Sequence, residues 1–448
     1  MTRPACCPRR ISRARMWVPT LGALLSAAVG PLAAQSTTST SAISQPSATP
    51  LDLSGALQLA RQHAPGLRIA DARRDASIGR ARELAQFVNP TVEYRRENLG
   101  SSLSPDIFAT VYLPFDVTGR RLALRSAGSA GQRRASADGD ADRRDAELRV
   151  AQAWLRAAAA EELVNVARTQ AAAMREVATI DSARQREGAV AEAVAMRTRL
   201  EADRARVSLA TTVGDAARAR ADLARAVGVP DRELPPVSLL TAPAMPEPPD
   251  SVAAATMATA SRPELAARLA GVREAKARLG AEQRGAIGDW QLQGGSKKTA
   301  GVMTGQVGLA LPFPLFNRND GARLRARGDL AEAEAMRDDA SIGVRAEAVA
   351  ALTAYLAVRA NRADAATFAA RGREIATIAR TSYREGHASL VELLDAERAA
   401  SDAMSAHIRW SVDAWLARLE LERALGVRLD ADGPLDLPLR AASPSTSR

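Results

Sequence analysis

Cysteine is almost absent from this chain of 448 residues, which has two, Cys6 and Cys7. Both precede the apolar core of an N-terminal targeting segment, so we expect the mature chain to have neither a disulfide nor a thiolate metal site. The three histidines, His63, His387 and His407, lie far apart in the sequence, and there is no glycine-rich phosphate loop. These absences argue against a clustered catalytic site. They predict a protein that is not an enzyme and that holds no metal or cofactor.

Aromatic residues are also scarce, at 3% of the chain. Base-stacking surfaces for nucleic acid are therefore not expected. Five arginines before residue 16 account for half of the formal net charge of +10. Elsewhere the arginines alternate with Asp and Glu along helix-forming stretches, which is typical of a solvated surface. The sequence thus predicts no nucleic-acid partner.

The first 34 residues have the pattern of a secretory signal peptide. Arginines come first, a short apolar stretch covers residues 16–30, and Ala33 and Ala34 supply small residues for cleavage. A short N-terminal membrane anchor is the alternative. Residues 35–50 are rich in Ser, Thr and Pro and indicate a flexible leader. We therefore expect an exported protein.

The rest of the chain contains one pattern twice. Leu113-Pro-Phe and Leu311-Pro-Phe lie 198 residues apart, and other proline, glycine and leucine landmarks keep that offset without a gap. Residues 52–229 and 250–427 are therefore interpreted as two copies of one long unit rather than as a solenoid of short repeats. A proline-rich linker, 230–249, joins the copies, and a Pro/Ser-rich tail covers 430–448.

Each copy begins with short helices and then changes to an alternating pattern. Val92 and Tyr94, then Val111 and Leu113, alternate with polar residues, which predicts a hairpin with its turn at 98–105. In the second copy we place the corresponding turn at 294–301. The chain therefore supplies four strands.

A proline-containing turn follows each hairpin and leads into a helix. Proline cannot donate to a sheet ladder, so pairing is expected to stop at these turns, while Asn and Asp residues after the second turn suit a helix start. The turn residues are Pro114, Phe115, Pro312, Phe313 and Pro314.

Long helices follow the turns. Residues 120–186 contain no proline, and a helix of that length spans roughly 100 Å. Each long helix should end at a tight turn, after which the chain returns along a heptad seam of small residues. An ordinary long coiled coil is the alternative for the returning helices alone. The two tips consist of Arg186, Glu187, Gly188, Arg384, Glu385 and Gly386.

Four strands leave two open edges, which a membrane does not tolerate unless the sheet closes into a barrel. We find no apolar run after the signal peptide that is long enough for a spanning helix. Three chains would give 12 strands and two would give eight. The fold class predicted is therefore mainly α with a membrane β-barrel and long helices that hang below it.

These features resemble the TolC family of outer-membrane efflux proteins over residues 52–429. The specific marks are the duplicated strand–Leu-Pro-Phe–helix pattern and residues 383–396, YREGHASLVELLDA. Residues 311–319, LPFPLFNRN, are similar to the heavy-metal and cation efflux branch. The resemblance implies a homotrimer in the outer membrane, with a 12-stranded barrel in lipid and an α-helical tunnel in the periplasm.

The resemblance also implies a role and partners. The protein would be the outer-membrane duct of a tripartite efflux system, docked to a periplasmic adaptor protein and an inner-membrane pump. We expect the two tips to be the adaptor contact, because they are the far ends of both helical hairpins. The alternative is a periplasmic coiled-coil adaptor or a structural protein of an export complex. An adaptor would carry a lipoyl-like or β-barrel domain instead of duplicated hairpins.

The family places acids just past the second tip, around a narrow periplasmic aperture. The matching residues here are Glu392 and Asp395, and Tyr383 resembles a gate tyrosine. Ser389 and Glu392 also fit a capping box, so Glu392 has a second possible role at its own helix start. The basic partner that the family has two residues after the glycine is Ala388 here.

Overall fold

The computed structural model describes residues 50–84, 86–100, 105–230, 234–237, 242–431 and 435. The predicted signal peptide, all but residue 50 of the leader, and most of the tail lie outside these residues. The first copy contains six elements, which are α1 Leu53–His63, α2 Pro65–Glu83, β1 Thr91–Glu97, β2 Asp106–Phe115, α3 Arg120–Arg186 and α4 Glu192–Val227.

The second copy repeats this order with one extra helix. Its elements are α5 Ser251–Ser261, α6 Pro263–Arg284, β3 Trp290–Thr299, β4 Val302–Ala310, α7 Asp320–Ala360, α8 Arg362–Glu385 and α9 Leu390–Leu425. The caps repeat as well. Asp52 accepts from the Gly55 amide and Asp250 from the Ala253 amide, each at 2.8 Å. The duplicated architecture of hairpins and long helices is thus confirmed.

The long helix of the second copy is broken, whereas an uninterrupted one was expected in both copies. α3 runs for 67 residues without a break. In the second copy α7 ends at Ala360, and Asn361, with φ −85° and ψ 5°, separates it from α8. The residue in register in the first copy is Leu163, a strong helix former. Asparagine instead competes for backbone hydrogen bonds and favours caps, which explains the break in one copy only.

The four strands form one antiparallel sheet in the order β1-β2-β3-β4. The first turn begins after Glu97, as predicted, although residues 101–104 lie outside the described part. The second predicted turn, 294–301, is wrong. β3 continues to Thr299, and only Ala300 and Gly301, with φ 50° and 87°, form the turn. Two successive residues with positive φ suit a two-residue hairpin.

The glycines that suggested a turn, Gly294 and Gly295, lie within β3 and pair with β2. A Cβ on Gly295 would lie 2.1 Å from the Ala109 carbonyl oxygen of the neighbouring strand. Glycine therefore allows β2 and β3 to approach closely at this position.

Pairing also continues past one of the predicted turn prolines. Pro114 and Phe115 belong to β2 and pair with Gln291 and Trp290. β1 begins opposite Tyr112, so Pro114 lies at the rim of the sheet with a strand on one side only, where proline is tolerated. In the second copy β4 ends at Ala310, and the prolines follow the strand as predicted.

The two faces of the sheet differ in polarity. The register places Val92, Val111 and Val307 on one face, and all three are exposed, Val307 to 86%. On the opposite face the Tyr112 hydroxyl donates to Glu93 at 2.6 Å, and the Gln306 amide donates to the Thr110 hydroxyl at 2.9 Å. One face is therefore apolar and open to its surroundings, and the other is polar and internally hydrogen-bonded.

The long helices pack side by side. α3 packs against α4 and α9, and α9 packs against α8 and α7. The seam on α9 is buried mainly through small residues, among them Ala396, Ala400, Ala403 and Ala414. Small side chains let helix backbones approach closely, as the sequence predicted.

One helical stretch contradicts the expectation about membrane spans. Among the described residues, Asp320–Glu385 passes a test of length and composition for a spanning helix, with a mean hydropathy of 1.4 in its most apolar window. Val344, Ala348, Leu352 and Tyr355 of this stretch are buried in the helix core.

The linker is fixed to the helices by residues in matching register. Arg220 of α4 donates to the Leu234 carbonyl, and Arg418 of α9 donates to the Ala244 carbonyl, each at 2.8 Å. The Tyr355 hydroxyl donates to the Pro246 carbonyl at 2.8 Å. Because these donors come from both copies, the described linker segments hold the two copies together.

Candidate functional site

The far ends of the long helices form two equivalent turns. Gly188 and Gly386 have φ 76° and 82°, the left-handed conformation that favours glycine at a helix end. The amide of Ala189 donates to the Arg184 carbonyl, and that of His387 to the Ser382 carbonyl, each at 2.8 Å. These bonds close the last turn of each helix. The six tip residues predicted from the sequence are all exposed.

The two tips lie next to each other because Arg184 joins them. Its guanidinium donates to the Arg384 carbonyl at 2.8 Å and to the Tyr383 carbonyl at 3.5 Å. Arg384 in turn lies 3.7 Å from the Glu176 carboxylate of α3. The tips of both copies therefore form one joint surface at the end of the chain's helical part.

A buried pair behind this surface connects the two copies. The Tyr383 hydroxyl donates to Asp181 Oδ2 at 2.7 Å, and both side chains are buried. The Arg184 guanidinium lies over the Tyr383 ring at 5.7 Å and at 4.0 Å from Asp181. We call the first contact the Asp181–Tyr383 lock. Burial and the hydrogen bond to Asp181 raise the pKa of Tyr383, so the hydroxyl stays protonated.

The sequence reasoning found Tyr383 but missed Asp181. The residue in register with Asp181 is Ala379, so the repeat gave no indication. The available signal was the spacing of Asp181 and Arg184, which places an acid and a base on one face just before a helix end. Tyr383 was predicted at the aperture, and within one chain its hydroxyl contacts Asp181.

The predicted aperture acids have different surroundings. Glu392 forms the capping box, since its carboxylate accepts from the Ser389 amide at 2.7 Å and its own amide donates to the Ser389 hydroxyl at 3.3 Å. Asp395 is 70% exposed and lies 3.7 Å from Arg398. The capping role of Glu392 is therefore present, and both Glu392 and Asp395 are exposed.

Below the second tip, a charged pair fixes α8 to α9. Arg380 donates to both carboxylate oxygens of Glu397, with Nη2 to Oε2 at 2.8 Å. Glu397 is buried, and the pKa of Arg380 is raised by its hydrogen bond to that carboxylate. A bidentate pair of this kind gives the hairpin a defined geometry.

The predicted strand-to-helix turns lie at the opposite end of the long helices. Phe115 packs edge-on against Trp290, with ring centroids 6.0 Å apart. Phe313 is 82% exposed. Over the described residues, no group of three or more metal-ligating side chains comes together.

Comparison with known proteins decides the fold. Residues 255–427 match the family model described as outer membrane efflux protein. The outer-membrane protein VceC of Vibrio cholerae is 19% identical, with a TM-score of 0.68 over 84% of this chain and 96% of that one. The MtrE outer-membrane channel of Neisseria gonorrhoeae is 18% identical, with a TM-score of 0.68 over 83% and 88%. The fold is that of the outer-membrane efflux channels.

A third structure with this channel fold is the CmeC outer-membrane channel of Campylobacter jejuni, at 16% identity and a TM-score of 0.68 over 84% of this chain and 85% of that one. No curated protein matches the sequence. The proteins that share the outer-membrane channel fold are channels rather than enzymes. The adaptor alternative requires a lipoyl-like or β-barrel domain within one chain, and the described residues contain only the four strands of the duplicated hairpins.

Proposed function

We propose that the protein is the outer-membrane duct of a tripartite efflux system. Three copies form a 12-stranded barrel in the outer membrane and an α-helical tunnel in the periplasm. A periplasmic adaptor and an inner-membrane pump deliver substrates to the tunnel. The observation that carries this proposal is the sheet, which has two open edges and an exposed apolar face, and which continues into long helices.

The sheet supports the barrel because its polarity is that of a membrane strand set. Alternating residues put Val92, Val111 and Val307 outward, where lipid would replace water, and hydrogen-bonded polar residues inward. The edges β1 and β4 each leave a row of backbone groups that lipid cannot satisfy. Closure with further copies satisfies both edges.

The helical layer supports the same assembly. Its outer members are α4 and α8, and both expose apolar side chains at helical spacing. These are Met196, Leu200 and Val207 on α4, and Phe368, Ile375 and Ile378 on α8. Bringing α4 of one copy against α8 of the next would cover both stripes and close the tunnel below the barrel.

A narrower proposal concerns the cargo. Residues 311–319 are similar to the heavy-metal and cation efflux branch, and Asp395 offers a carboxylate near the tunnel end. Metal cations are therefore the substrate class we propose first. Drugs are the second. Deletion strains challenged with divalent metals and with a panel of drugs would distinguish the two classes.

Assembly tests the duct directly. Unboiled samples from outer-membrane fractions are expected to run as a trimer on SDS gels and as a monomer after boiling. Val307→Arg, on the apolar face, should reduce the trimer strongly, since an arginine facing lipid costs about 2–4 kcal/mol at mid-membrane. Gln306→Arg, the next residue on the polar face, is the matched control and should assemble normally. A soluble monomer in the periplasm would overturn the proposal.

A ring of Asp395 side chains would favour cations in the tunnel, because carboxylates attract cations and replace part of their hydration. Asp395→Asn is expected to lower the cation selectivity of the duct in planar bilayers, with trimer stability unchanged. Arg398→Gln removes the nearest opposing charge and should raise cation selectivity. Glu392→Gln preserves the capping box and should behave as the parent. Equal selectivity in all three variants would exclude the acidic ring.

A further inference from the structure

The chain leaves an apolar segment uncovered where β4 passes into α7. Leu311, Phe313, Leu315 and Phe316 are all exposed, Phe316 to 100%. A smaller exposed pair, Phe87 and Val88, precedes β1 at the same end of the sheet. Both segments therefore flank open edges of the sheet, one at each side. Exposed aromatic residues concentrated at two complementary edges indicate a surface that binds another molecule.

The corresponding segment of the first copy is built differently. It follows β2, an interior strand, and the residue in register with Phe316 is Thr118. Asp116 accepts hydrogen bonds from the Thr118 amide at 2.8 Å and from the Arg121 amide at 2.7 Å. Arg121 forms an ion pair with Asp289. The interior turn is thus completed within the chain, whereas the edge turn is apolar and open.

The register shows what lies beside the edge turn after closure. Thr91 of β1 is level with Tyr112, Gln293 and Gly308 across the sheet. β2 continues three residues beyond that line, to Phe115, and β4 continues to Ala310. β2 and β3 therefore end at the same level, β4 ends one residue before it, and β1 begins three residues short of it.

We infer that residues 311–316 of one protomer pack against residues 87–88 of the next. The inference rests on the proposed trimeric barrel. If the next copy's β1 pairs antiparallel with β4 at the level that β1 has in this sheet, its Thr91 lies beside Gly308 and its residues 87–88 lie beside residues 311–312. The occupant of the apolar surface is therefore a second copy of this chain, and the contact is a hydrophobic clasp at the base of each inter-protomer strand pair.

Thiol cross-linking tests this contact. In a Cys6→Ser/Cys7→Ser background, the pairs Phe87→Cys/Leu315→Cys and Phe87→Cys/Phe316→Cys are treated with a short bis-maleimide in native outer membranes. Boiled samples are expected to shift from the monomer band to covalent dimer and trimer bands. Two pairs are used so that one poorly folding variant does not decide the result.

The repeat provides a matched control. Val117 is in register with Leu315 but follows the interior strand β2. The pair Phe87→Cys/Val117→Cys should therefore give no inter-protomer band.

Lipid is the competing occupant, and a nitroxide attached to Phe316→Cys separates the two. A clasp between protomers predicts low collision rates with both oxygen and a water-soluble nickel complex. High oxygen collision together with absent cross-links in an unboiled trimer would show a lipid contact and overturn the inference while leaving the duct intact. If no trimer forms in the parent protein, the proposed function fails and the inference fails with it.

Discussion

Valine at both Gly188 and Gly386 is expected to abolish efflux and leave the trimer assembled. Both glycines have positive φ, and the left-handed conformation costs a β-carbon residue about 1–2 kcal/mol. A Cβ at either position would meet no neighbouring atom within 4 Å, so the cost is local backbone strain. The tips should change shape while the barrel, at the far end of α3 and α7, is unaffected. Loss of efflux then follows because the tips are the proposed adaptor contact.

The matched control makes the same substitution where backbone strain is absent. Gly214 and Gly343 lie inside helices without positive φ, and a Cβ there also meets nothing within 4 Å. Gly214→Val/Gly343→Val should retain drug or metal resistance in a deletion strain. Resistance equal to the parent in the tip variant, at equal trimer content, would remove the tips from the mechanism. Loss of adaptor cross-linking would assign the defect to docking.

Removing the Tyr383 hydroxyl is expected to leave the duct partly open. In Tyr383→Phe the buried Asp181 loses a hydrogen bond to a charged group, which is worth about 1.5–3 kcal/mol in each protomer. Asp181 Oδ1 already has no hydrogen-bond partner, so the remaining charge would be poorly satisfied in the closed arrangement. Single-channel recordings should show at least a tenfold rise in resting conductance. Cells should become sensitive to antibiotics that normally do not enter.

Tyr355→Phe is the control for this experiment. Its hydroxyl is also buried and donates to the Pro246 carbonyl at 2.8 Å, but it lies far from the tips and holds the linker. This variant should lose some thermal stability and keep the resting conductance of the parent. An unchanged conductance in Tyr383→Phe would show that the lock does not control opening.

The raised pKa of Tyr383 sets how the tyrosine side of the lock depends on pH. Burial raises the pKa of Tyr355 to about 12, and burial with the Asp181 hydrogen bond raises that of Tyr383. A raised tyrosine pKa means that stabilisation is complete below the ordinary value near 10 and is lost as pH rises through the raised one. Resting conductance should therefore not change through Tyr383 between about pH 6 and about pH 9.

Sequence patterns were sufficient to predict most of the architecture because nearly every helix and strand occurs in both copies of the repeat. Pro65 and Pro263 start α2 and α6 in register. Gly228 and Gly426, both with positive φ, end α4 and α9 in register. Alternation identified the strands. These signals are local, and each comes from the conformational preference of the residue itself.

The failures involve contacts between distant segments. Gly294 and Gly295 suggested a turn because glycine is common in turns. The sequence does not show that β2 approaches Gly295 so closely that only glycine fits there. Pro114 was expected to end its strand because proline cannot donate to a neighbouring strand. The sequence does not show that β1 stops before reaching Pro114, which leaves that side without a partner to donate to. Asp181 was missed because its partner, Tyr383, lies 202 residues away. At the site, the tips were found from their turn residues, whereas the lock depends on how the two copies pack.

The corresponding long helices of the two copies have nearly equal lengths. α3 has 67 residues, the stretch Asp320–Glu385 has 66, and the returning helices α4 and α9 have 36 each. One residue inserted into α3 alone would lengthen it by about 1.5 Å and rotate everything beyond by about 100°. Arg184 would then turn away from the Arg384 carbonyl, and the two ends would no longer be level. Single substitutions are tolerable along these long helices. An insertion or deletion has to occur in both copies at once to keep the two tips level.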